Sequence, residues 1–313
     1  MKSFCKLKYI LLLAISMISI TVYCYGGEGT TAANFLKFSY SSRQAALAGA
    51  YSAIGNDSYS IFSNPAGITS ARDKELGLGF TTYLEDSKLG ILSYKTKLRD
   101  ADIGFGFAGF NIDSIERRTN DAVGIVPSEG SFDSTDMEFI FSYAKKDFAP
   151  NIIENLSAGA SLKFINSKID DSSAQSIALD LGLLYHYLNH INISFALLNL
   201  GTKMKYESES DNIPLSIKAG FSYSLKNANL VAEVEEFVHD EKFYPSIGAE
   251  YFLGDSFVLR TGYKFGYDTS NLGSMVGFAC GFGIIAKDVS FNYAYVPFGE
   301  LGNINRFDIQ FGF

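Results

Sequence analysis

The sequence predicts an all-β transmembrane barrel of about fourteen antiparallel strands, with an N-terminal lumenal hatch that contains a short helix. Three observations carry that prediction. Hydrophobicity alternates with period two in segments of about ten to fourteen residues, the connections differ in length between the two ends, and a leader-like stretch precedes both. Beyond that stretch no apolar run is long enough to cross a bilayer as a helix, although 47% of the residues are apolar, so any crossing falls to strands.

The chain opens MKSFCKLKYILLLAISMISITVYCYGG, with Lys2, Lys6 and Lys8 ahead of an apolar run over 9–22 and then Gly26 and Gly27. This is the layout of a secretory signal peptide, expected over 1–26 with cleavage near Gly26. Lipidation of Cys24 is the alternative, against which Tyr23 counts. Losing three lysines and no acid makes a chain of net charge −8 more acidic still, which excludes nucleic acid as a partner. Cleavage after Cys24 leaves Cys280 without a partner for an internal disulfide.

Residues 27–72 have a different period. The stretch Ser41 to Ala50 is alanine-rich and opens on serines that can cap it, which suits a short helix, and Asn56-Asp57 reads as a turn. Ser63-Asn64-Pro65-Ala66-Gly67-Ile68 reads as a second turn, because Pro65 fixes its own φ and pushes Asn64 towards extended backbone. A loose tail does not hold Phe35, Phe38, Tyr40, Tyr51, Tyr59, Ile61 and Phe62. The segment is expected to pack, and the lumen of a wide barrel is the place for it.

Residues 73–313 read as the barrel. Its segments fall near 75–84, 88–98, 101–111, 136–146, 155–168, 173–187, 190–199, 212–224, 228–239, 243–252, 255–266, 272–285, 287–297 and 302–313. Met137, Phe139, Phe141 and Tyr143 share one face of the fourth, opposite Glu138 and Ser142. Even-numbered segments end in tight turns, except at 147–154, while the long polar connections 112–135 and 200–211 follow the third and seventh. That is the pattern of a barrel with short turns at its periplasmic end. In the last segment Phe307, Ile309, Phe311 and Phe313 alternate with polar residues, and resemble the C-terminal signal read by the bacterial outer-membrane assembly machinery.

No motif calls for a cofactor or a metal. His186 lies within a strand between two tyrosines, His190 at a turn, and His239 beside the acidic run Glu233 to Glu241 without the spacing of a calcium loop. Enzymatic activity is not expected.

The stretch NFLKFSYSSRQAALAGAYSAIGNDSYSIFSNPAGI, from Asn34 to Ile68, resembles the N-terminal signature of the PorV/PorQ family, a branch of the FadL-like outer-membrane proteins. The matching positions include Phe35-Leu36-Lys37, Arg43, Ala45, Ala46, Gly49, Asp57, Asn64, Pro65, Ala66 and Gly67. The resemblance implies fourteen strands, a hatch that plugs the lumen, and the Asn-Pro-Ala triplet within that hatch. It also implies outer-membrane location and passage of hydrophobic compounds such as long-chain fatty acids, or, for the PorV branch, a part in protein secretion and handling of surface proteins. The expected partners are outer-membrane lipid, a hydrophobic small molecule, the assembly machinery during biogenesis, and in the second case a secreted protein. The family also has a kink in the third strand that opens the wall sideways. Gly104, Gly106 and Gly109 in the third segment are the candidate lateral opening, with a narrow wall beside the hatch as the alternative.

Overall fold

The computed structural model describes residues 31–118, 130–267 and 273–313. The expected signal peptide and Cys24 lie outside the described residues. Fourteen antiparallel strands close into one barrel. In chain order they are β1 (Lys74–Thr82), β2 (Lys88–Leu98), β3 (Ala101–Glu116), β4 (Ser131–Lys145), β5 (Leu156–Ile169), β6 (Ser172–Tyr187) and β7 (Ile191–Gly201). A small separate hairpin, β8 (Met204–Tyr206) and β9 (Glu209–Asp211), follows. The barrel resumes with β10 (Ser216–Ser224), β11 (Ala228–Phe237), β12 (Lys242–Leu253), β13 (Phe257–Lys264), β14 (Phe278–Ala286), β15 (Val289–Pro297) and β16 (Asn303–Gly312). Each strand pairs with its barrel neighbour in sequence, and β16 returns to β1 in a register that runs from Glu75 opposite Gly312 to Thr82 opposite Asn305. No helix of the described residues is long and apolar enough to cross a membrane.

The period of two sorts every strand into two faces. Leu78, Leu92, Phe139, Phe164 and Ile177 lie exposed on the outer surface at one level, while Ser93, Glu138, Lys163 and Asp180 are buried on the inner one. An outer surface this apolar belongs in lipid, because water leaves no driving force to expose it. Phe307, Ile309 and Phe311 of β16 lie on that outer face, and Phe313 follows at the rim, with Arg306 and Asp308 turned inward.

Four elements of the barrel differ from the sequence reading. β14 starts at Phe278 rather than 272, because residues 274–277 form a turn that ends on Gly277 at φ 92°. The β3–β4 ladder runs out to Glu116 and Ser131 past a bulge between Ile112 and Ile115, so much of the expected loop 112–135 is paired strand. Beyond the bilayer a strand keeps its hydrogen bonds without an apolar face, and periodicity loses sight of it. The connection 200–211 holds the β8–β9 hairpin, whose Met204 is fully buried beside Ile213. β10 starts at Ser216 rather than 212, because Ile213 turns inward and Pro214 brings no N–H to the ladder.

Phe139 sits at mid-height on the lipid face, so Phe139→Arg is expected to destabilise the folded barrel by about 2–4 kcal/mol. Denaturant titration of the protein folded into phospholipid vesicles measures this.

Candidate functional site

Residues 31–73 fill the lumen before β1 begins. Four short helical pieces build this hatch: 3₁₀ turns at Asn34–Lys37, Ser58–Phe62 and Pro65–Ser70, and the α-helix Ser42–Ala46. Each of the last three has a polar cap. Ser41 accepts from the Gln44 N–H, Asp57 from the Tyr59 N–H, and Asn64 from the Ala66 N–H. Asn64-Pro65 therefore starts a helical piece instead of making only a turn. Proline suits the first helical position, where no N–H is needed and its fixed φ already fits.

Pieces this short hold only by tertiary contact, and much of that contact is with carboxylates of the barrel wall. Asp308 of β16 accepts from the Ser42 N–H at 2.5 Å, Glu75 of β1 from the Ser58 N–H at 2.6 Å, and Glu233 of β11 from Tyr51 and Ser52 N–H at 3.1 and 2.7 Å. A negative charge against a free N–H at the start of a helical turn gives a charge-assisted hydrogen bond. Arg43 makes the other main link. Its Nε and Nη2 meet the two oxygens of Glu250 on β12 at 2.7 and 2.9 Å, and its Nη1 reaches Asn56 at 2.6 Å. Arg260 of β13 approaches the same Glu250 at 2.7 Å and joins it through Asn292 to Asp308. Asp57 adds a hydrogen bond from the Tyr51 hydroxyl. Burial first, and then the Asp57 charge, push the Tyr51 phenol well above its ordinary pKa.

The Asn-Pro-Ala triplet sits against a gap in the wall. Gly159 of β5 and Gly182 of β6 face each other across the ladder. A Cβ on Gly159 would lie 2.5 Å from the Pro65 carbonyl carbon, and one on Gly182 would fall on the Asn64 side-chain oxygen. The Asn64 Nδ2 donates to the Leu183 carbonyl of β6 and to Ser52 within the hatch, each at 3.1 Å. Gly67 approaches the Gly55 carbonyl and Ser60 equally closely. Gly49, at φ 93°, follows the α-helix in the left-handed region and returns its N–H to the Gln44 carbonyl. Periodicity gave no signal for Gly159 and Gly182, which in a strand suggest a bulge; their facing register is visible only in the fold.

The lumen has two characters. Along β2–β6 the wall offers Leu89, Ile91, Ala108, Phe110, Ile140 and Ile165, all packed with Phe35, Leu36, Ile61, Phe62 and Ile68 of the hatch in one apolar cluster. Phe38 stacks on Tyr83 at 4.2 Å and meets Phe110 edge-on at 5.1 Å, at the end away from the termini. The wall also carries buried ion pairs. On β10–β13 Lys218 pairs with Glu233 and Glu235 and Lys264 with Glu235, and between the apolar residues of β2–β6 Lys95 pairs with Asp102 and Lys163 with Glu138 and Asp180. A polar cavity of about 310 Å³, lined among others by Arg43, Arg72, Glu75 and Arg260, opens at the end that carries the termini.

Gly104 and Gly106 face inward, where a Cβ on either would lie 2.6 Å from the Ile61 side chain. Gly109 faces outward, near only the Phe107 ring. From Asp102 to Ile112 the β3 ladder to β4 is unbroken, and so is that to β2 from Ala101 to Asn111. The acidic run after Glu233 divides: Glu233 and Glu235 serve lumenal lysines and the hatch, and Asp240 pairs with Lys37. His186 contacts Ser70 and Asn192, and His190 lies at the rim beside Tyr223.

The sequence matches no protein-family model and no curated protein. Among solved structures the chain is similar to the TodX monoaromatic hydrocarbon channel deltaS2 mutant, with 15% identity and a TM-score of 0.60, over 87% of this chain and 96% of that one. It is also similar to a Pseudomonas aeruginosa FadL homologue, with 11% identity and a TM-score of 0.57, over 87% and 98%. At these identities the likeness is one of fold, a FadL-like fourteen-stranded barrel.

Glu250 neutralises both Arg43 and Arg260, so Glu250→Gln strands the buried Arg260, leaves Arg43 only its 3.5 Å ionic contact to Asp57, and is expected to cost about 3–5 kcal/mol. Arg43→Gln leaves Glu250 its Arg260 partner and costs less, which thermal unfolding of the two variants compares. Gly182→Val is expected to unseat the hatch and expose the buried Arg43 to trypsin while the barrel stays folded. Gly109→Val leaves the digestion pattern unchanged.

Proposed function

We propose that this protein is an outer-membrane channel for hydrophobic small molecules, non-enzymatic, with the hatch as its gate. The observation that carries the reading is the apolar seam between the hatch and β2–β6. It begins at Phe38, Tyr83 and Phe110, continues past Leu89 and Ile91, and reaches Ile68 and Ala144 towards the end that carries the termini. The seam is filled by hatch side chains, so passage requires the hatch to shift, and a shift along this side uncovers apolar wall while ion pairs hold the other side. The fold likeness to TodX and to the FadL homologue supports the same reading. In it Arg43, Asp57 and the 64–67 motif keep the hatch seated. The C-terminal Phe307, Ile309, Phe311 and Phe313 serve assembly of the barrel, and Gly104 to Gly109 are the place where the wall would part.

A second reading, a PorV-like component of protein secretion or surface assembly, is favoured by the polar character of the terminal cavity and by how closely the hatch is corked. Native mass spectrometry of the detergent-extracted protein separates the two. Co-purified apolar small molecules support the channel, and a stoichiometric protein partner supports the second.

The gate is tested directly by a reducible lock. With Cys280 replaced by Ser, Ile61→Cys and Gly104→Cys place two thiols where hatch and wall meet. Oxidation is expected to cut uptake of a hydrophobic probe into proteoliposomes at least tenfold, and reduction to restore it. Uptake indifferent to the lock sinks the moving hatch.

A further inference from the structure

The lipid-facing belt is not equally tall all round the barrel. On β16, β1 and β2 the outward positions Asn305, Thr82 and Lys88 pair across the ladders as one polar row towards the outer end. Towards the inner end Lys74 pairs with Thr96, and the exposed Lys97–Asp73 ion pair lies next to them. Between these rows three outward positions remain on each strand: Phe307, Ile309 and Phe311 on β16, and Leu76, Leu78 and Phe80 on β1. β2 has three likewise between Lys88 and Thr96. Tyr293 and Tyr295 of β15 turn their hydroxyls to Asn305 and Asn303 at 2.8 Å, as tyrosines do where lipid meets water.

Halfway round the barrel from β1 stands β10. Its side has six outward positions from Leu215 to Leu225, all apolar or aromatic, and β6 has six from Ile177 to Tyr187. At about 3.3 Å per residue and a strand tilt of about 40°, Lys74 to Thr82 covers about 20 Å of the membrane normal, and Leu215 to Leu225 about 25 Å. The apolar band of such barrels is about 25 Å tall, so β10 matches it and the face on β16, β1 and β2 falls short by about 5 Å. Tilting the cylinder does not repair this, because tilt lowers one face as it raises the other and evens out neither. Polar side chains held in hydrocarbon are expensive, and a bilayer that thins locally to spare them deforms at modest cost.

We infer that β16, β1 and β2, the strands at which the barrel closes, form a face that holds the adjoining bilayer thin by about 5 Å. The partner of this face is lipid, because its apolar rows run without a break into the lipid-facing surfaces of β3 on one side and β15 on the other. Acyl chains beside it are short or splayed. The inference stands on the barrel alone and is independent of what the lumen passes.

The chain contains no tryptophan, so Thr82→Trp and Thr96→Trp each place a single reporter at one edge of the face, and Ala219→Trp places one in the belt of β10. The full-length proteins are folded into dioleoylphosphatidylcholine vesicles, and quenching by lipids brominated near the head group is compared with quenching by lipids brominated deep in the chain. Both edge reporters are expected to be quenched at least about twofold more by the shallow bromine, and Ala219→Trp at least about twofold more by the deep one. Deep quenching of either edge reporter shows hydrocarbon of full height there and overturns the inference. Quenching of the edge reporters by neither lipid shows a second copy covering the face and overturns it as well. Lengthening the belt is a second check. Asn305→Leu combined with Thr82→Leu is expected to raise the denaturant midpoint above that of the wild type in dioleoyl vesicles and not in thinner didecanoyl ones. An equal shift in both, or none in either, overturns the inference.

Discussion

A sheet of fourteen strands closed on itself encloses more space than its own inward side chains can fill. The remaining features of the molecule are ways of meeting that constraint. The hatch brings in aromatic and aliphatic bulk, and its short helical pieces bring free N–H groups that need acceptors. The wall answers with glycines where the hatch backbone comes close and with carboxylates where its N–H groups point. Neither part is complete alone, because Glu75, Glu233, Glu250 and Asp308 would otherwise be carboxylates lining an empty lumen.

The barrel was legible because lipid imposes a simple demand on every second residue. Phe139, Phe164 and Ile177 announce the outer face at any position in the chain. The site was much less legible. Asn64-Pro65 carries the local signature of a turn, and the same two residues begin a helical piece once Gly159 and Gly182 make room for them. Arg43 and Glu250 stand 207 positions apart, and nothing in either neighbourhood marks them as a pair. Inward residues answer to a partner in the hatch and not to a uniform solvent, so their pattern carries no period.

The lumen is built unevenly, and the unevenness bears on which way the hatch can yield. On the β10–β16 side the contacts are ion pairs and charge-assisted hydrogen bonds, short and directional, which fail together when geometry is lost. Between the hatch and β2–β6 the contacts are mainly dispersion and apolar burial, which tolerate sliding, and the ion pairs there join wall to wall. An apolar molecule entering that side replaces one set of such contacts by another. Entry on the ionic side separates charges in a closed space.

The position of the hatch in the chain also sets an order of events. It is made before every strand of the barrel, yet Ser42 waits for Asp308, which lies 266 residues later on the strand that closes the cylinder. Until β16 arrives, Phe35, Tyr51, Tyr59 and Phe62 have no lumen to enter. Plug seating and barrel closure are thus tied to the same late step, and a segment made before any strand is among the last to find its place.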